Sequence, residues 1–378
     1  MLFVSGGSRF AVGLTLRPIV FDLGWGRSDL GLAVALFQIV SAGAMFAAGY
    51  VVDRSGPRLV LTAGLVVSGI GIGLMTLMSA PWHALALYGV AYAIGNGAAS
   101  MIPVGVMVTR AFPERTGIAN AAVMSGMSAG QLVMIAALAA VMLIASWRSV
   151  FLFLGLVHLA LLPLVIAAFP KTTPLQAKAD RPKDGVGVIE ATRSGRFWLL
   201  IVIYAVCGFD DFFVSTHVVA FAQDRGVDAF LAGNLLALMG LTGLLGVVAG
   251  GVLSDRAGPA WPTAIAFAAR VVGFAIVIVN PSTLSVAIFA LVFGATFLVT
   301  APLTVVFVAE SFGKRHLGAI TGLITMVHQV FGGAGAYLGA VAFDRTGSYQ
   351  SIFLATLVAS LAAMFLAVML RGRNKSVD

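Results

Sequence analysis

The sequence predicts an all-α integral membrane protein in which twelve transmembrane helices form two pseudo-symmetric six-helix bundles. Composition, apolar runs separated by short polar breaks, and an internal repeat each predict this class. Of the 378 residues, 60% are hydrophobic and 10% are charged, and the mean hydropathy is +1.02. A water-soluble fold of this composition would expose more apolar surface than water tolerates, so a soluble globular protein is excluded.

Apolar runs of about 20 to 25 residues predict the helices, which we number as spans 1 to 12. The spans cover residues 1–22, 27–52, 59–79, 82–109, 116–145, 149–169, 196–222, 228–253, 261–280, 283–309, 316–343 and 349–370. The polar interval 170–195 cannot bury enough apolar area to pack, so we predict that it is a linker. It divides the chain into an N-terminal bundle, 1–169, and a C-terminal bundle, 196–378.

The positive charges indicate the orientation in the membrane. Of the 23 lysines and arginines, three lie within spans, four in one set of loops and sixteen on the side of the linker. The positive-inside rule therefore predicts cytoplasmic termini and a multi-pass protein of the cell inner (plasma) membrane. The net charge of +8 reflects this topology, so nucleic acid is not an expected partner. The single cysteine, Cys207, excludes an intramolecular disulfide and a cysteine-rich metal site, and no cofactor is expected.

The two halves repeat each other at an offset near 200 residues. The stretch "GYVVDRSGPR" (49–58) returns as "GVLSDRAGPA" (251–260), and "RSVFLFLGL" (148–156) returns as "QSIFLATLV" (350–358). Such a repeat indicates two similar bundles that face each other across a central cavity, as in an alternating-access carrier.

The G-x-x-x-D-R-x-G-x-R loop, its weaker second copy and the 6+6 layout resemble the major facilitator superfamily over essentially the whole chain. Three stretches are similar to its monocarboxylate and oxalate/formate transporter branch. They are "FDLGWGRSDLGLAVALF" (21–37), "FPERTGIANAAVMSGMSAGQ" (112–131) and "HQVFGGAGAYLGAVAFDRTGSY" (328–349). The resemblance implies gating at the inner interface for Asp53, Gly56 and Arg58, and for Asp255 in the second copy.

The ionisable residues of interest within the spans are Arg9, Arg17, Asp210, Asp211, His217, Arg270 and His328. A charge near the membrane midplane is costly, so such residues should face protein or a water-filled cavity. Adding 202 to Arg9 gives Asp211, which predicts equal depth on spans 1 and 7. Two interpretations stay open. Arg9 forms a static ion pair with Asp210 or Asp211, or Arg9 binds a substrate carboxylate while one of the adjacent acids takes up a proton.

The resemblance also implies roles for three of the ionisable residues within the spans. His328 falls where the oxalate/formate transporter carries a substrate-binding lysine, and Arg9 falls within one position of the span 1 lysine of monocarboxylate transporters. The branch's span 8 arginine has no counterpart in "LMGLTGLLGVVAGG" (238–251), which favours a monocarboxylate over a dicarboxylate. Arg270 is expected to be structural, because span 9 is peripheral in the family fold.

His217 lies two turns from Asp210, where it either relays a proton or is a hydrogen-bonded core residue. Tyr88, Tyr92 and Asn96 follow i, i+4, i+8 on span 4, so one helix face carries two hydroxyls and an amide that either line the pocket or pack. Gln131 and Gln329 form interhelical hydrogen bonds or contact the ligand.

These residues predict a secondary active transporter that moves a small organic anion, a monocarboxylate, together with H+ by alternating access. The alternative is a carrier of a different molecule, through drug or metabolite efflux or sugar uptake. An enzyme is not expected, since the Asp-Asp pair lacks the two-helix spacing of intramembrane aspartyl catalysis. The expected partners are the anion, H+ and the lipid bilayer, and the protein is expected to be monomeric.

Overall fold

The computed structural model describes residues 1–55, 57–100, 104, 116–168, 185–313 and 315–373. Among these residues, nine helices are long and apolar enough to cross a membrane, and strand pairing is limited to one isolated bridge between Gly185 and Gly313. The predicted all-α membrane fold is thereby confirmed.

The spans of the C-terminal half lie close to their predicted bounds. They are Gly195–Asp224 for span 7, Ala229–Ala257 for span 8, Ala260–Val279 for span 9, Thr283–Phe297 and Thr300–Phe312 for span 10, Leu317–Thr346 for span 11 and Gln350–Met369 for span 12, which a 3-10 turn, Leu370–Arg373, extends. Asp228 and Ser282 cap spans 8 and 10, because their side chains accept hydrogen bonds from backbone N–H groups of the first turn.

The N-terminal half is more interrupted. Its helices are Leu2–Ser8 and Ala11–Leu23 for span 1, Arg27–Ser55 for span 2, Pro57–Leu74 and the 3-10 turn Met75–Leu77 for span 3, Pro81–Ala84, a π-helical stretch Leu85–Tyr92 and Ala93–Ala98 for span 4, Thr116–Val141 for span 5, and Trp147–Ala160 and Leu162–Ala168 for span 6. Beyond Ser100, the predicted span 4 is outside the described residues except Val104.

The break in span 1 was not predicted. The helix stops after Ser8 and resumes at Ala11, so Arg9 and Phe10 lie between two helical segments. The first segment packs very closely on span 5, because a side chain on Gly6 would collide with the backbone of Met127. Broken spans expose backbone groups at membrane depth, which is tolerated only inside protein or beside a cavity.

Part of the predicted linker is ordered, which corrects the expectation that 170–195 does not pack. Residues 169–184 lie outside the described part of the chain. The N–H of Val186 donates to the carbonyl of Phe312 at 3.0 Å, and a short helix, Val188–Arg193, follows. Ala191 of this helix is buried against the end of span 7. The apolar residues at this end of the interval supply the packing area that the average composition concealed.

The two halves meet along spans 2 and 11 and along spans 5 and 8. A Cβ on Gly31 of span 2 would meet Ala340 of span 11, and a Cβ on Gly240 of span 8 would meet Gln131 of span 5. Small residues at these positions let the helix backbones approach closely, as membrane helices require for packing.

Candidate functional site

A narrow cavity, with free space for about one water molecule, lies between the halves beside the break in span 1. Its lining residues come from spans 1, 2, 4 and 7: Arg9, Phe10, Val12, Gly13, Val34, Phe37, Gln38, Tyr88, Phe212, Ser215 and Thr216. The walls combine apolar side chains with polar groups, a mixture typical of small-molecule sites.

Arg9 is the cation of this cavity. Its guanidinium stacks over the ring of Phe212 at 4.6 Å from the centroid, and Nη2 donates to Oε1 of Gln329 at 3.4 Å. Its buried Nε has no partner among the described residues. The hydroxyl of Tyr88 donates to the backbone carbonyl of Arg9 at 3.1 Å, which satisfies one backbone group freed by the helix break.

Sequence reasoning missed Gln38. Its side chain is completely buried in span 2 and lines the cavity, and within the described chain neither amide atom has a hydrogen-bond partner. The signal was present: a glutamine in the apolar stretch "ALFQIV" is a polar group that a membrane helix holds at a cost.

Of the two interpretations of Arg9, the static ion pair with Asp210 or Asp211 is not formed in this structure. Asp211 binds Arg270 instead, with Oδ1 2.7 Å from Nη2, while its Oδ2 lies 3.2 Å from Nε2 of His328. Among the described residues no ion pair joins Arg9 to Asp210 or Asp211. Equal depth along two helices did not decide which way each side chain faces, since neighbouring residues point about 100° apart.

Close packing of spans 7 and 11 brings His328 to Asp211. A side chain on Gly208 would collide with the backbone carbonyl of His328, and one on Gly335 would collide with that of Phe209. Two glycines therefore permit the helix approach that a 3.2 Å contact between Asp211 and His328 requires. The His328 side chain is 19% exposed, so it is the accessible member of this pair.

Asp210 lies deeper in the C-terminal half. Its Oδ2 accepts a hydrogen bond from Oγ of Ser360 at 2.7 Å and lies 3.7 Å from Nη1 of Arg270. The side chains of Asp210 and Arg270 are both fully buried. Arg270 is thus an interior ion-pair partner of both acids, which agrees with the structural role expected for it, although its side chain lies inside the bundle and not at the periphery. Asp211, through His328, is the acid nearer the pathway.

Cys207 joins the same cluster. Its Sγ lies 3.5 Å from Asp211 Oδ2, 3.2 Å from Oγ1 of Thr300 and 3.7 Å from Nη1 of Arg270. The donor atoms of Cys207, Asp211 and His328 lie within 4.8 Å of one another, a separation that suits a divalent cation. A metal ion there would face the fixed charge of Arg270, so we assign the trio to hydrogen bonding.

Sequence neighbours connect the cavity cation to the acid cluster. Phe212, which stacks under Arg9, follows Asp211, and Gln329, which accepts from Arg9, follows His328. The rings of Phe212 and His328 also meet edge to face, with centroids 6.0 Å apart. A movement of Arg9 would therefore displace Phe212 and Gln329, which adjoin the two partners of the Asp211–His328 contact.

The predicted span 4 face divides in two. Tyr88 lines the cavity and stacks on Phe37 at 4.9 Å, whereas Tyr92 and Asn96 are not among the lining residues. Tyr92 is fully buried and accepts a hydrogen bond from Asn96 Nδ2 at 3.4 Å. Direct substrate contact by Tyr92 and Asn96 stays a prediction. Both tyrosines belong to a π-helical stretch, a feature often found at functional sites.

His217 is a hydrogen-bonded core residue in this structure. Its Nε2 lies 2.8 Å from the carbonyl of Ala336 and its Nδ1 lies 3.0 Å from the hydroxyl of Tyr349. A neutral imidazole that donates through Nε2 and accepts at Nδ1 satisfies both partners. The proton relay predicted for His217 has no described contact to Asp210 or Asp211, so the packing alternative describes it better.

An ion-paired network closes the end of the molecule that the charges predict to be outer. Arg27, counted among the outer-loop charges, is the buried first residue of span 2; it donates to Tyr349 at 2.6 Å and binds Asp224 at 2.8 Å. The carboxylate of Asp344 accepts from the N–H groups of Arg27 and Ser28 at 2.9 and 2.7 Å, capping span 2 from the other half.

The predicted gating residues are described only in part. Gly56 and the side chain of Asp53 lie outside the described residues. Arg58 is partly buried in the first turn of span 3, and Asp255 is exposed in the last turn of span 8. Gly258, the repeat counterpart of Gly56, has a φ of +79°, a left-handed conformation that favours glycine in this turn. The gating role of this loop stays a prediction.

Comparisons with known proteins agree with this architecture. The family model for the Major Facilitator Superfamily matches residues 1–336 and, in an overlapping match, 200–378. The uncharacterized MFS-type transporter YcxA of Bacillus subtilis is 28% identical over 347 residues, which are 88% of this chain and 83% of YcxA.

Two further relatives carry substrate names. Monocarboxylate transporter 13 of Rattus norvegicus is 24% identical over 337 residues, 86% of this chain and 75% of its own. The oxalate:formate antiporter of Oxalobacter formigenes is 23% identical over 234 residues, 61% of this chain and 55% of its own. The predicted resemblance is thereby confirmed. A crystal structure of the nucleoside transporter NupG superimposes with a TM-score of 0.80 over 99% of this chain and 98% of its own, at 13% identity, a likeness of fold alone.

Proposed function

The chain belongs to the major facilitator superfamily, and we propose that it carries a small monocarboxylate together with a proton by alternating access. The observation that supports this most is Arg9, a mid-membrane arginine that borders a cavity without an acidic partner among the described residues. A permanently charged guanidinium in low dielectric needs an anion, and its planar fork suits a carboxylate. The substrate supplies that counter-charge.

Charge balance supports a proton as the second substrate. Asp210 and Asp211 carry two negative charges when ionised, and Arg270 supplies one permanent positive charge. The cluster is neutral when His328 is protonated, or when one acid is. Since an uncompensated charge is costly inside the protein, the cluster holds one exchangeable proton at the Asp211–His328 contact.

Coupling between the anion and the proton follows from the positions of Phe212 and Gln329 next to Asp211 and His328 in the chain. A carboxylate that binds Arg9 competes with Gln329 for Nη2 and lies against Phe212, and these residues adjoin His328 and Asp211. Binding of the anion therefore biases the geometry of the proton site, and by linkage the proton biases anion binding equally. Exchange of the closed Arg27 network for contacts at the opposite end would complete alternating access.

A monocarboxylate suits the site better than a dicarboxylate. Arg9 is the sole cation among the residues that line the cavity, and the polar groups of the other lining residues are uncharged. A second carboxylate would find no second counter-charge among these residues, at a large desolvation cost. The span 8 segment that lacks an arginine agrees with this assignment.

Uptake by the purified protein in proteoliposomes tests the proposal. Labelled pyruvate, lactate, acetate, oxalate, glucose, uridine and a cationic dye are compared with and without an inward proton gradient. Protein-free liposomes correct for diffusion of the protonated acids. We expect a monocarboxylate to accumulate above this background only when the gradient is imposed. If the protein moves none of the carboxylates but moves the sugar, the nucleoside or the dye, the proposed substrate class is wrong.

A further inference from the structure

Gln38 is held in an unfavourable state that the proposed function does not explain. It lies roughly 17 Å from the start of span 2, well inside the membrane by helix rise. Its side chain is fully buried, and neither the amide oxygen nor the amide nitrogen finds a partner in the described residues. A buried amide without hydrogen bonds destabilises a protein, so a group that is absent from the empty molecule should satisfy it.

The other buried glutamines of the chain differ from Gln38. Nε2 of Gln131 donates to the carbonyl of Leu236 at 3.0 Å, and Oε1 of Gln329 accepts from Arg9 at 3.4 Å. Neither of these lines the cavity, whereas Gln38 does. The unsatisfied amide and the unsatisfied Nε of Arg9 thus border the same small space.

We infer that Gln38 and Arg9 together recognise a carboxylate that bears an oxo or hydroxyl oxygen beside the carboxyl group and an apolar remainder. Arg9 takes the carboxylate, and Gln38 donates through Nε2 to an oxo oxygen or accepts at Oε1 from a hydroxyl. Phe10, Phe37 and Phe212 surround the remainder with aromatic surface. This inference rests on the proposed function, because the carboxylate is the first of its two recognition points.

Hydrogen bonding gives this arrangement its selectivity. A site with a buried amide rejects an analogue that lacks the partner oxygen, since the amide is then left unpaired. A purely apolar pocket discriminates such analogues weakly. The unsubstituted acid should therefore bind less well than the oxo or hydroxy acid of the same carbon skeleton.

Matched substrates test the inference in proteoliposomes. Pyruvate is compared with propionate, and phenylpyruvate with 3-phenylpropionate, by the ratio of kcat/KM within each pair. For the wild-type protein we expect the oxo acid to be favoured by roughly tenfold or more. Gln38→Met, of similar length but without the amide, should bring both ratios close to one. Gln131→Met, a buried glutamine outside the cavity, is the matched control and should leave both ratios as in the wild type.

Each outcome decides between the explanations. Unchanged ratios in Gln38→Met, or an equal loss for both acids of a pair, would overturn the inference and indicate that the amide binds water only. Transport of all four acids without discrimination would overturn it too, while the proposed function stands. If no acid is carried, the proposed function fails and the inference with it. For a folded variant that is impaired in transport, ligand-induced shifts of Tm in detergent give instead the ratio of dissociation constants within each pair.

Discussion

Arg9 and Arg270 are two mid-span arginines with opposite environments. Arg270 is fully buried, pairs with Asp211 at 2.7 Å and Asp210 at 3.7 Å, and donates from Nε to Thr296 Oγ1 at 3.1 Å. Arg9 is partly buried, and its one described side-chain hydrogen bond, to neutral Gln329, is 3.4 Å long. Arg270 has its counter-charges within the fold, whereas Arg9 borders a cavity.

This difference teaches where to look for function among charged residues in a membrane. Burying a charge is costly, and a buried ion pair is strongly destabilised when one partner is removed. Arg270 is thus required by Asp210 and Asp211 whether or not substrate is present. Arg9 has no acidic partner in the described chain, so its charge at this depth points to a ligand.

The largest effect should come from replacing Arg270, the arginine whose charge is balanced within the fold. Arg270→Gln leaves Asp210 and Asp211 facing one titratable histidine, so we expect a loss of about 3–5 kcal/mol in the free energy of unfolding. Thermal unfolding in detergent measures this loss. Adding Asp211→Asn to Arg270→Gln removes the excess negative charge and should restore part of the stability. A single variant as stable as the wild type would show that Arg270 is not the counter-charge of the acids.

A smaller effect on folding, with a specific effect on coupling, is expected for Asp211→Asn. Asp210 still balances Arg270, so the loss of stability should be less than for Arg270→Gln. The site at His328 loses its carboxylate and no longer holds an exchangeable proton. Substrate exchange should continue, while an inward proton gradient no longer drives accumulation. Gradient-driven accumulation at the wild-type level in Asp211→Asn would remove Asp211 from the proton site.

Much of the fold was predictable from sequence because apolar length and breaking residues are local signals. Span 7, predicted at 196–222, runs over Gly195–Asp224 in the structure. The break at Arg9 was not predictable from such signals; it follows a segment that packs closely on span 5 at Gly6, a tertiary contact that the sequence does not show. The order of Val188–Arg193 was missed for a similar reason, since its stability comes from contact with the end of span 7.

The sequence predicted which residues form the site, but it predicted their contact partners only in part. Arg9, Asp211 and His328 were singled out because charges at membrane depth are costly. Their partners were not predicted, since the repeat offset gives depth and leaves the direction of each side chain open. Gln38 was missed because an uncharged side chain attracts less notice in an apolar run, although its buried amide is the clearest unmet hydrogen-bonding need in the cavity.

Ligand-dependent unfolding of Arg9→Gln tests the central claim most directly. Pyruvate at 100 times its Kd should stabilise the wild-type protein by about 2.7 kcal/mol. Arg9→Gln should unfold near the wild-type Tm without ligand, because Arg9 has no charged partner to lose, and pyruvate should no longer raise that Tm. Arg17→Gln removes a 53% exposed arginine outside the cavity and should keep the ligand effect. Equal stabilisation of Arg9→Gln and wild type by pyruvate would contradict the account.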